Sequence, residues 1–402
     1  MRPKILYLCT ACPFAPSFGA QLRTLATAMA LREIGDITTV LVTARDWGEE
    51  ALQRTRDELN LRAVIPVVKT PKMGIGERLR HELDPRFIKT TGSTVSEEDR
   101  QRVREWIAEH DMVWVTRLEV ANTLGIYDWP NTVLDLDDLR SQYFLAEIGH
   151  TKGLYAKLLA RRKAFLARRR ELATHERFTI LTVCSENDRP LLPNAKSVHV
   201  VPNGFPPPTT EPVYDPSSEP RLGFIGLLAY PPNLTGLKWF ADNVWPLVRQ
   251  QIPQATLRVV GKGWDGAGLS HHPGFEGLGF VDDVEAEMNS WRGTIVPVLF
   301  GAGTRIKIAE AFSRRIPIVS TTIGAYGYPA THEREMLLAD EAQDFADSCV
   351  RIIKDPSFAA SLADRGWDMY VDGFSWEAIG ERIRAAAEEC LQQAGKLAKD
   401  PA

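Results

Sequence analysis

Residues 300–328 read FGAGTRIKIAEAFSRRIPIVSTTIGAYGY, a glycine-rich turn that carries an arginine and a lysine into a periodic segment and then into an apolar run. Gly301 and Gly303 allow a tight turn and close backbone approach. Ile306, Ala309 and Phe312 recur at helical spacing, and IPIVS, residues 316–320, reads as a buried strand. A turn that opens a helix leaves unpaired N–H groups at its mouth, with the positive end of the helix dipole behind them. Arg305 and Lys307 add full charges, so phosphate or diphosphate is the natural guest. The loop is not a P-loop, because no Gly-Lys-Ser/Thr closes it. A polar strand-to-helix connection with two solvated cations accounts for the same residues, so the rest of the chain has to decide.

The chain has 402 residues, enough for two or three domains with sizeable cores. Its formal net charge of -4 gives no electrostatic case for nucleic acid. No apolar run approaches the roughly 18 residues that a membrane-spanning helix needs. The N-terminal ILYL reads as a first buried strand rather than a signal peptide, because a helical pattern and a second strand, ITTVLVT, follow at once. Five cysteines, few and odd in number, point to a reducing, cytoplasmic setting. Cys9 and Cys12 form a C-x-x-C, but Pro13 and Pro16 follow where a redox motif needs a helix, and no second ligand pair for zinc exists.

Strand and helix patterns alternate through the first half: ILYL, a helix over 21–34 stopped by Gly35, ITTVLVT, then MVWVT, TVLDL, FTILTV and SVHVV. PNGFPPPTTEPVYDPSSEP, residues 202–220, is rich in proline and reads as a hinge or linker. The alternation restarts with LGFIG, a helix around LTGLKWFADNVWPLVRQ, TLRVVG, TIVPV, IPIVS and MLLA. The expected fold is therefore α/β, with two doubly wound Rossmann-like domains facing each other across a cleft and ligands at the carboxyl ends of strands. The domains expected are 1–201, the hinge 202–220, the second domain 221–373, and a C-terminal helix in 374–402 that returns to the first.

In order and spacing, IGLLAYPPNLTGLKWFADNVWPLVRQQIPQATLRVVGKG, GFVDDVEAEM and PVLFGAGTRIKIAEAFSRRIPIVSTTIGAYGY resemble the C-terminal domain of group 1 glycosyltransferases with the GT-B fold. PFAPSFGAQLR, VPNG at the hinge and GFSWEAIGERI near the end agree with it. The resemblance implies a nucleoside-diphosphate sugar, UDP- or GDP-linked, bound in the C-terminal domain. It implies an acceptor in the N-terminal domain, which would be a glycan, a lipid-linked molecule or a small molecule, and transfer with retention. Of the two glutamates the family usually carries, Glu310 stands at the second position, where it would hold the donor ribose, while Ala302 replaces the first. The family's arginine and lysine after the first C-terminal strand are missing: GLLAYPPNLTGLK has no arginine, and its lysine, Lys238, comes late. Arg305 and Lys307 are expected to take over the diphosphate charge, stabilising the leaving group without a metal or other cofactor. Because positions 305 and 307 project about 200° apart on a helix, both can reach one phosphate only if the first turn is irregular. Gly301, Gly303 and Thr304 belong to the same donor site, with Gly261 and the backbone of Val281 near the base.

In the N-terminal domain, Gly19 with Ala20 resembles the family's glycine pair beside the donor phosphates. TVLDLDD ends a strand with Asp135, Asp137 and Asp138, and Asp137 stands where the family often has a histidine. It could orient a hydroxyl, receive a proton, or cap the next segment. Read instead as a metal-holding Asp-x-Asp, DLDD would leave the second α/β domain unexplained. Residues 151–170, TKGLYAKLLARRKAFLARRR, carry eight cations and no acid. Peripheral membrane contact through 152–170 and a solvated basic helix both fit, although Arg162 and Arg169 interrupt the leucine face. His271 and His272 read as surface residues. Two rivals to transfer keep the same fold: a binding or scaffold protein, favoured by Ala302 and the missing pair, and a nucleotide-sugar epimerase.

Overall fold

The computed structural model describes residues 2–15, 19–70, 74–83, 92–214 and 219–397, which divide into two units, 1–202 with 379–402 and 203–378. The first unit runs β1 (Lys4–Cys9), α1 (Gly19–Ile34), β2 (Asp36–Thr43), α2 (Glu49–Leu59), β3 (Leu61–Pro66), β4 (Val68–Lys69), α3 (Ile75–Leu83), β5 (Ser93–Thr94), α4 (Glu97–Glu109), β6 (Met112–Thr116), α5 (Leu118–Leu124), β7 (Thr132–Asp135), α6 (Arg140–His150), α7 (Leu154–Leu172), β8 (Ile180–Val183) and β9 (Val198–Val200). Its seven-stranded sheet has the order β3-β2-β1-β6-β7-β8-β9 with every pair parallel. β1 is buried continuously from Ile5 to Cys9, as expected of a parallel strand covered on both faces. Ile5, Tyr7, Leu31 and Trp114 share one core cluster with Ile379, Ile383 and Cys390 from the end of the chain.

The second unit runs β10 (Arg221–Ile225), α8 (Pro231–Trp239), α9 (Trp245–Gln251), β11 (Thr256–Val260), β12 (Phe275–Gly279), α10 (Val284–Asn289), β13 (Gly293–Val296), α11 (Ile306–Phe312), β14 (Ile318–Ser320), β15 (Leu337–Leu338), α12 (Ala342–Lys354) and α13 (Pro356–Gly373); α14 (Trp376–Gln393) follows and joins the first unit from Ile379. The six-stranded parallel sheet is ordered β12-β11-β10-β13-β14-β15. Where one helix was expected, α8 and α9 are joined by a π-turn over Phe240–Val244. Pro246 follows it, and a ring without an N–H cannot continue the regular ladder.

Four strands escape the sequence pattern: the two-residue β4 and β5, and β3 and β12 of the main sheets. β3 is an edge strand of mixed exposure, and β12, FEGLG, has only Phe275 buried, so neither shows a continuous apolar run. The stretch expected as a hinge is packed at its start. Phe205 donates its N–H to Phe374 O (3.0 Å) and accepts from the Tyr370 hydroxyl (3.2 Å), while the Tyr214 hydroxyl donates to Arg292 O (3.0 Å). The proline-rich chain from Asn203 therefore lies on the second unit.

Candidate nucleotide-binding site

In the second sheet, β11 and β12 wind to one side of β10, and β14 and β15 to the other side of β13. β10 and β13 are neighbours, so the order reverses between them, and the crevice outside their carboxyl ends is where doubly wound sheets bind ligands. Two loops meet the requirement: 226–230 after β10 and 297–305 after β13.

Arg305 is the N-cap of α11 and keeps extended backbone (φ −87°, ψ 104°), so the helix starts only after it. Its guanidinium folds back over its own loop. Nη1 donates to the carbonyls of Ala302 and Gly303, the latter at 2.8 Å. A Cβ on Gly301 would stand 2.6 Å from Nη2, and Gly301 and Gly303 hold φ of +140° and +73°. The backbone conformation disfavours a side chain at both positions, and at Gly301 a Cβ would also crowd the guanidinium. Arg305 is only 8% exposed. Its Nε and Nη2 find no hydrogen-bond acceptor, and no carboxylate pairs with it, among the described residues. Unpaired buried charge is costly, and an anion placed beside the guanidinium would relieve that cost.

Lys307, inside α11, reaches the other loop. Its Nζ donates to Asn233 Oδ1 (3.0 Å) and sits 4.0 Å from the centre of the Phe224 ring on β10. A Cβ on Gly226, the first residue after β10, would come within 2.9 Å of that nitrogen. The loop that lacks its own arginine thus receives a cation from α11, whereas Lys238 lies exposed at the end of α8. Burial, and secondly the charge of Arg305, pull the Lys307 ammonium down to about 7, with Glu310 opposing. Asn233 is oriented for this task by donating Nδ2 to Leu227 O (2.9 Å).

Glu310 is not on a solvent face. Its side chain is 13% exposed, pairs with Arg314 at 3.3 Å, and has its carboxyl pushed up by burial against the pull of Arg314 and Lys307. Thr304 is buried, and its hydroxyl accepts the N–H of Asn203 (3.1 Å), so it anchors the loop to the start of the proline-rich stretch. The Tyr328 hydroxyl, unnoticed in the sequence, donates to Arg305 O (2.9 Å) and accepts from Ala309 N (3.2 Å), which fixes the turn into α11. Gly261 follows β11 and donates its N–H to Gly279 O (2.7 Å); Val281, just past β12, packs its side chain into the core cluster that contains Ile308 and Phe312.

In the first unit, Gly19 opens α1, and residues 16–18 before it lie outside the described residues. The DLDD turn is held by arginines rather than used as a cap: α6 has Leu139 at its N-cap and no side-chain capping bond. Arg23 grips Asp135 with two bonds, Nη2 to Oδ1 (2.6 Å) and Nε to Oδ2 (2.9 Å), and Thr182 Oγ1 adds a third (2.8 Å). Arg23 Nη1 donates onward to Val201 O (2.9 Å). Asp137, in left-handed backbone (φ +59°), accepts from Arg117 Nη2 at 3.0 Å and lies 3.8 Å from Arg23. Burial and the Asp137 charge push the Asp138 carboxyl up to about 6. With Asp135 consumed by Arg23, DLDD is a poor metal ligand pair; among the described residues no cluster of three or more His, Cys, Asp or Glu could hold an ion. Cys9 and Cys12 are buried free thiols, Cys12 Sγ lying 3.3 Å from Thr55 Oγ1, and burial pushes the Cys9 thiol far up, which makes it inert.

These features define a GT-B fold. The structure is similar to that of Anabaena Alr3699/HepE in complex with UDP and glucose (TM-score 0.61, 15% identity, 96% of this chain and 100% of that one). It is similar also to sucrose-phosphate synthase from Thermosynechococcus elongatus (TM-score 0.66, 14% identity, 97% and 100%). Residues 219–355, which contain both loops of the site, match the family model described as Glycosyl transferases group 1. In sequence, the chain is 24% identical over 170 residues, 40% of its length, to the uncharacterized 44.6 kDa protein in the cps region of Klebsiella pneumoniae, and the match spans 44% of that protein.

Proposed function

We propose that the chain is a glycosyltransferase that moves a hexose from a nucleoside-diphosphate sugar to an acceptor hydroxyl, with retention and without a metal. The observation that carries this reading is the buried Arg305 guanidinium, which pairs with no carboxylate among the described residues, together with Lys307, at the point where the strand order of the second sheet reverses. As the bond from the sugar to the diphosphate breaks and the bond to the acceptor oxygen forms, negative charge grows on the departing diphosphate, which then takes the proton that the acceptor hydroxyl loses. Fixed cations then stabilise the transition state more than the ground state. Glu310 accepts hydrogen bonds from the ribose diol, and Gly261 and Val281 border the base. Asp137, bonded to Arg117 and 3.8 Å from Arg23, would orient a hydroxyl. The binding-protein alternative draws on Ala302, which is buried and offers only its carbonyl, to Arg305. The acceptor is a glycan, a lipid-linked molecule or a small molecule. The reaction runs in the cytoplasm, where the free thiols stay reduced, with peripheral contact at the inner face of the membrane.

The test is a thermal-shift screen of UDP, GDP and their sugars, followed by a transfer assay with and without EDTA. A nucleoside diphosphate should raise the melting temperature, and transfer should survive chelation. Absence of any nucleotide shift overturns the site. Nucleotide binding without turnover favours the binding protein, and interconversion of the nucleotide sugar alone favours the epimerase. Full loss of activity in EDTA that manganese or magnesium restores overturns the metal-free mechanism.

A further inference from the structure

We infer that α7 is a docking surface for an anionic lipid bilayer, which gives the peripheral localisation just proposed a definite place and a definite lipid chemistry. Among the described residues no helix is long and apolar enough to cross a membrane, so any contact has to lie along the surface. α7 has 19 residues and a length of about 28 Å. Its inner face is settled: Ala160 and Ala164 are buried as α7 packs against α6, and its one acid, Glu171, is turned inward to accept the N–H of Ser141 (2.9 Å) and its hydroxyl.

Beside the exposed Arg161, Arg162 and Lys163, the outer face carries an apolar strip where a solvated helix should be polar. Leu154 and Tyr155 are each 75% exposed, Phe165 is 59% and Leu158 52%. Leu154, Leu158 and Phe165 fall within an arc of about 40°, with Arg161 about 20° to one side and Arg169 about 20° to the other. The arginines that interrupt the leucine face in sequence each have a partner within the fold. Arg162 pairs with Glu82 at the end of α3, and the Arg169 guanidinium lies 5.7 Å from the centre of the Phe165 ring. Lys152, Lys157 and Arg161 have no acidic partner among the described residues. On α6, packed alongside, Leu145 is 50% exposed. An apolar ridge flanked by cations suits the boundary between headgroups and acyl chains: each cation near anionic lipid is worth about 1 kcal/mol, and the ridge inserts.

The charge argues against the other occupants. Eight cations and no acid between residues 151 and 170, in a chain of net charge -4, form a local positive patch. A second copy docked through the same face would set like charges against each other. A nucleic acid would meet the cations but offer nothing to Leu154, Leu158 and Phe165.

The experiment is flotation of the full chain with phosphatidylcholine vesicles, with and without phosphatidylglycerol. Binding is expected only with the anionic lipid, weakening as salt rises. Leu154→Ser/Leu158→Ser/Phe165→Ser, all at exposed positions, should lose on the order of tenfold or more in affinity, as should Lys157→Gln/Arg161→Gln on anionic vesicles. Melting temperature and its shift by UDP, measured on the same samples, should be unchanged. Failure of the full chain to float, vesicle binding by the triple variant at wild-type strength, an oligonucleotide that displaces the vesicles, or a dimer abolished by the same substitutions would each overturn the inference. A missing UDP shift with intact vesicle binding would instead count against the catalytic reading alone.

Discussion

Two buried arginines, each at the carboxyl ends of strands in a parallel sheet, differ in how their charge is met. Arg23 is saturated: Asp135 takes two of its nitrogens, Asp137 lies within ion-pair distance, and Val201 accepts a further bond. Arg305 is as deeply buried, yet its only partners are two carbonyls of its own loop, and two of its nitrogens have none among the described residues. A satisfied buried charge holds a fold together, whereas an unsatisfied one leaves room for a ligand of opposite sign. The comparison turns burial, which the two share, into a distinction between structure and function.

The largest effect expected follows from the satisfied member. Asp135→Ala strands the Arg23 guanidinium in a dry site and should lower stability by about 3–5 kcal/mol. Arg305→Ala removes a charge that has no counter-ion and should leave the urea midpoint at or above that of the wild type. If Arg305→Ala unfolds as readily as Asp135→Ala, the distinction fails.

Catalysis should rank the pair in reverse. Arg305 faces charge that appears as the sugar leaves, so Arg305→Ala should cut kcat on the order of 10²- to 10³-fold at saturating donor, with folding checked by melting temperature. If that variant turns over like the wild type while Lys307→Ala does not, the wrong cation has been assigned to the transition state.

Much of this was legible in the sequence for a physical reason. Parallel strands covered on both faces write themselves as apolar runs, and ILYL, MVWVT and IPIVS each fall on an observed strand. The loop with Gly301, Gly303 and Arg305 could be read because a tight turn leaves few choices of residue. Edge strands such as β3 left no comparable trace. Neither did the partners: that Lys307 ends on Asn233, 74 positions away, or that Arg23 meets Asp135 across 112, depends on which strands become neighbours. Lys307 shows the limit: its charge is plain in the sequence, its contact with Asn233 is not.

The third prediction uses that contact. The folded Lys307 titrates near 7, below the ordinary lysine value, so the stability it withholds grows as pH falls from that ordinary value towards 7 and is constant below. A bound diphosphate favours the charged form. Affinity for a nucleotide sugar, whose diphosphate does not titrate in this range, should be level below pH 7 and fall about tenfold per unit above it, with one proton taken up on binding. Calorimetry in buffers of different ionisation enthalpy reads that proton directly. Lys307→Arg should flatten the profile, and a wild-type profile already flat between neutral and mildly alkaline pH would mean that Lys307 is charged without ligand or does not touch the phosphates.

The smallest effect should come from Glu310, and the same logic of partners explains why. Its carboxylate is neither free like the Arg305 guanidinium nor saturated like Asp135, because it is shared with Arg314 at 3.3 Å. A ribose diol would therefore replace part of an existing interaction rather than fill an empty one, and would do so in ground state and transition state alike. Uniform binding of this kind appears in KM and not in kcat. A hydrogen bond to a charged group is worth about 1.5–3 kcal/mol, and competition from Arg314 places the loss near the lower end. Glu310→Gln should raise donor KM about tenfold, weaken UDP to the same extent, and leave kcat within about twofold, measured by donor-saturation kinetics alongside UDP titration. If kcat falls while KM holds, Glu310 acts on the reacting sugar, the role that Ala302 cannot fill.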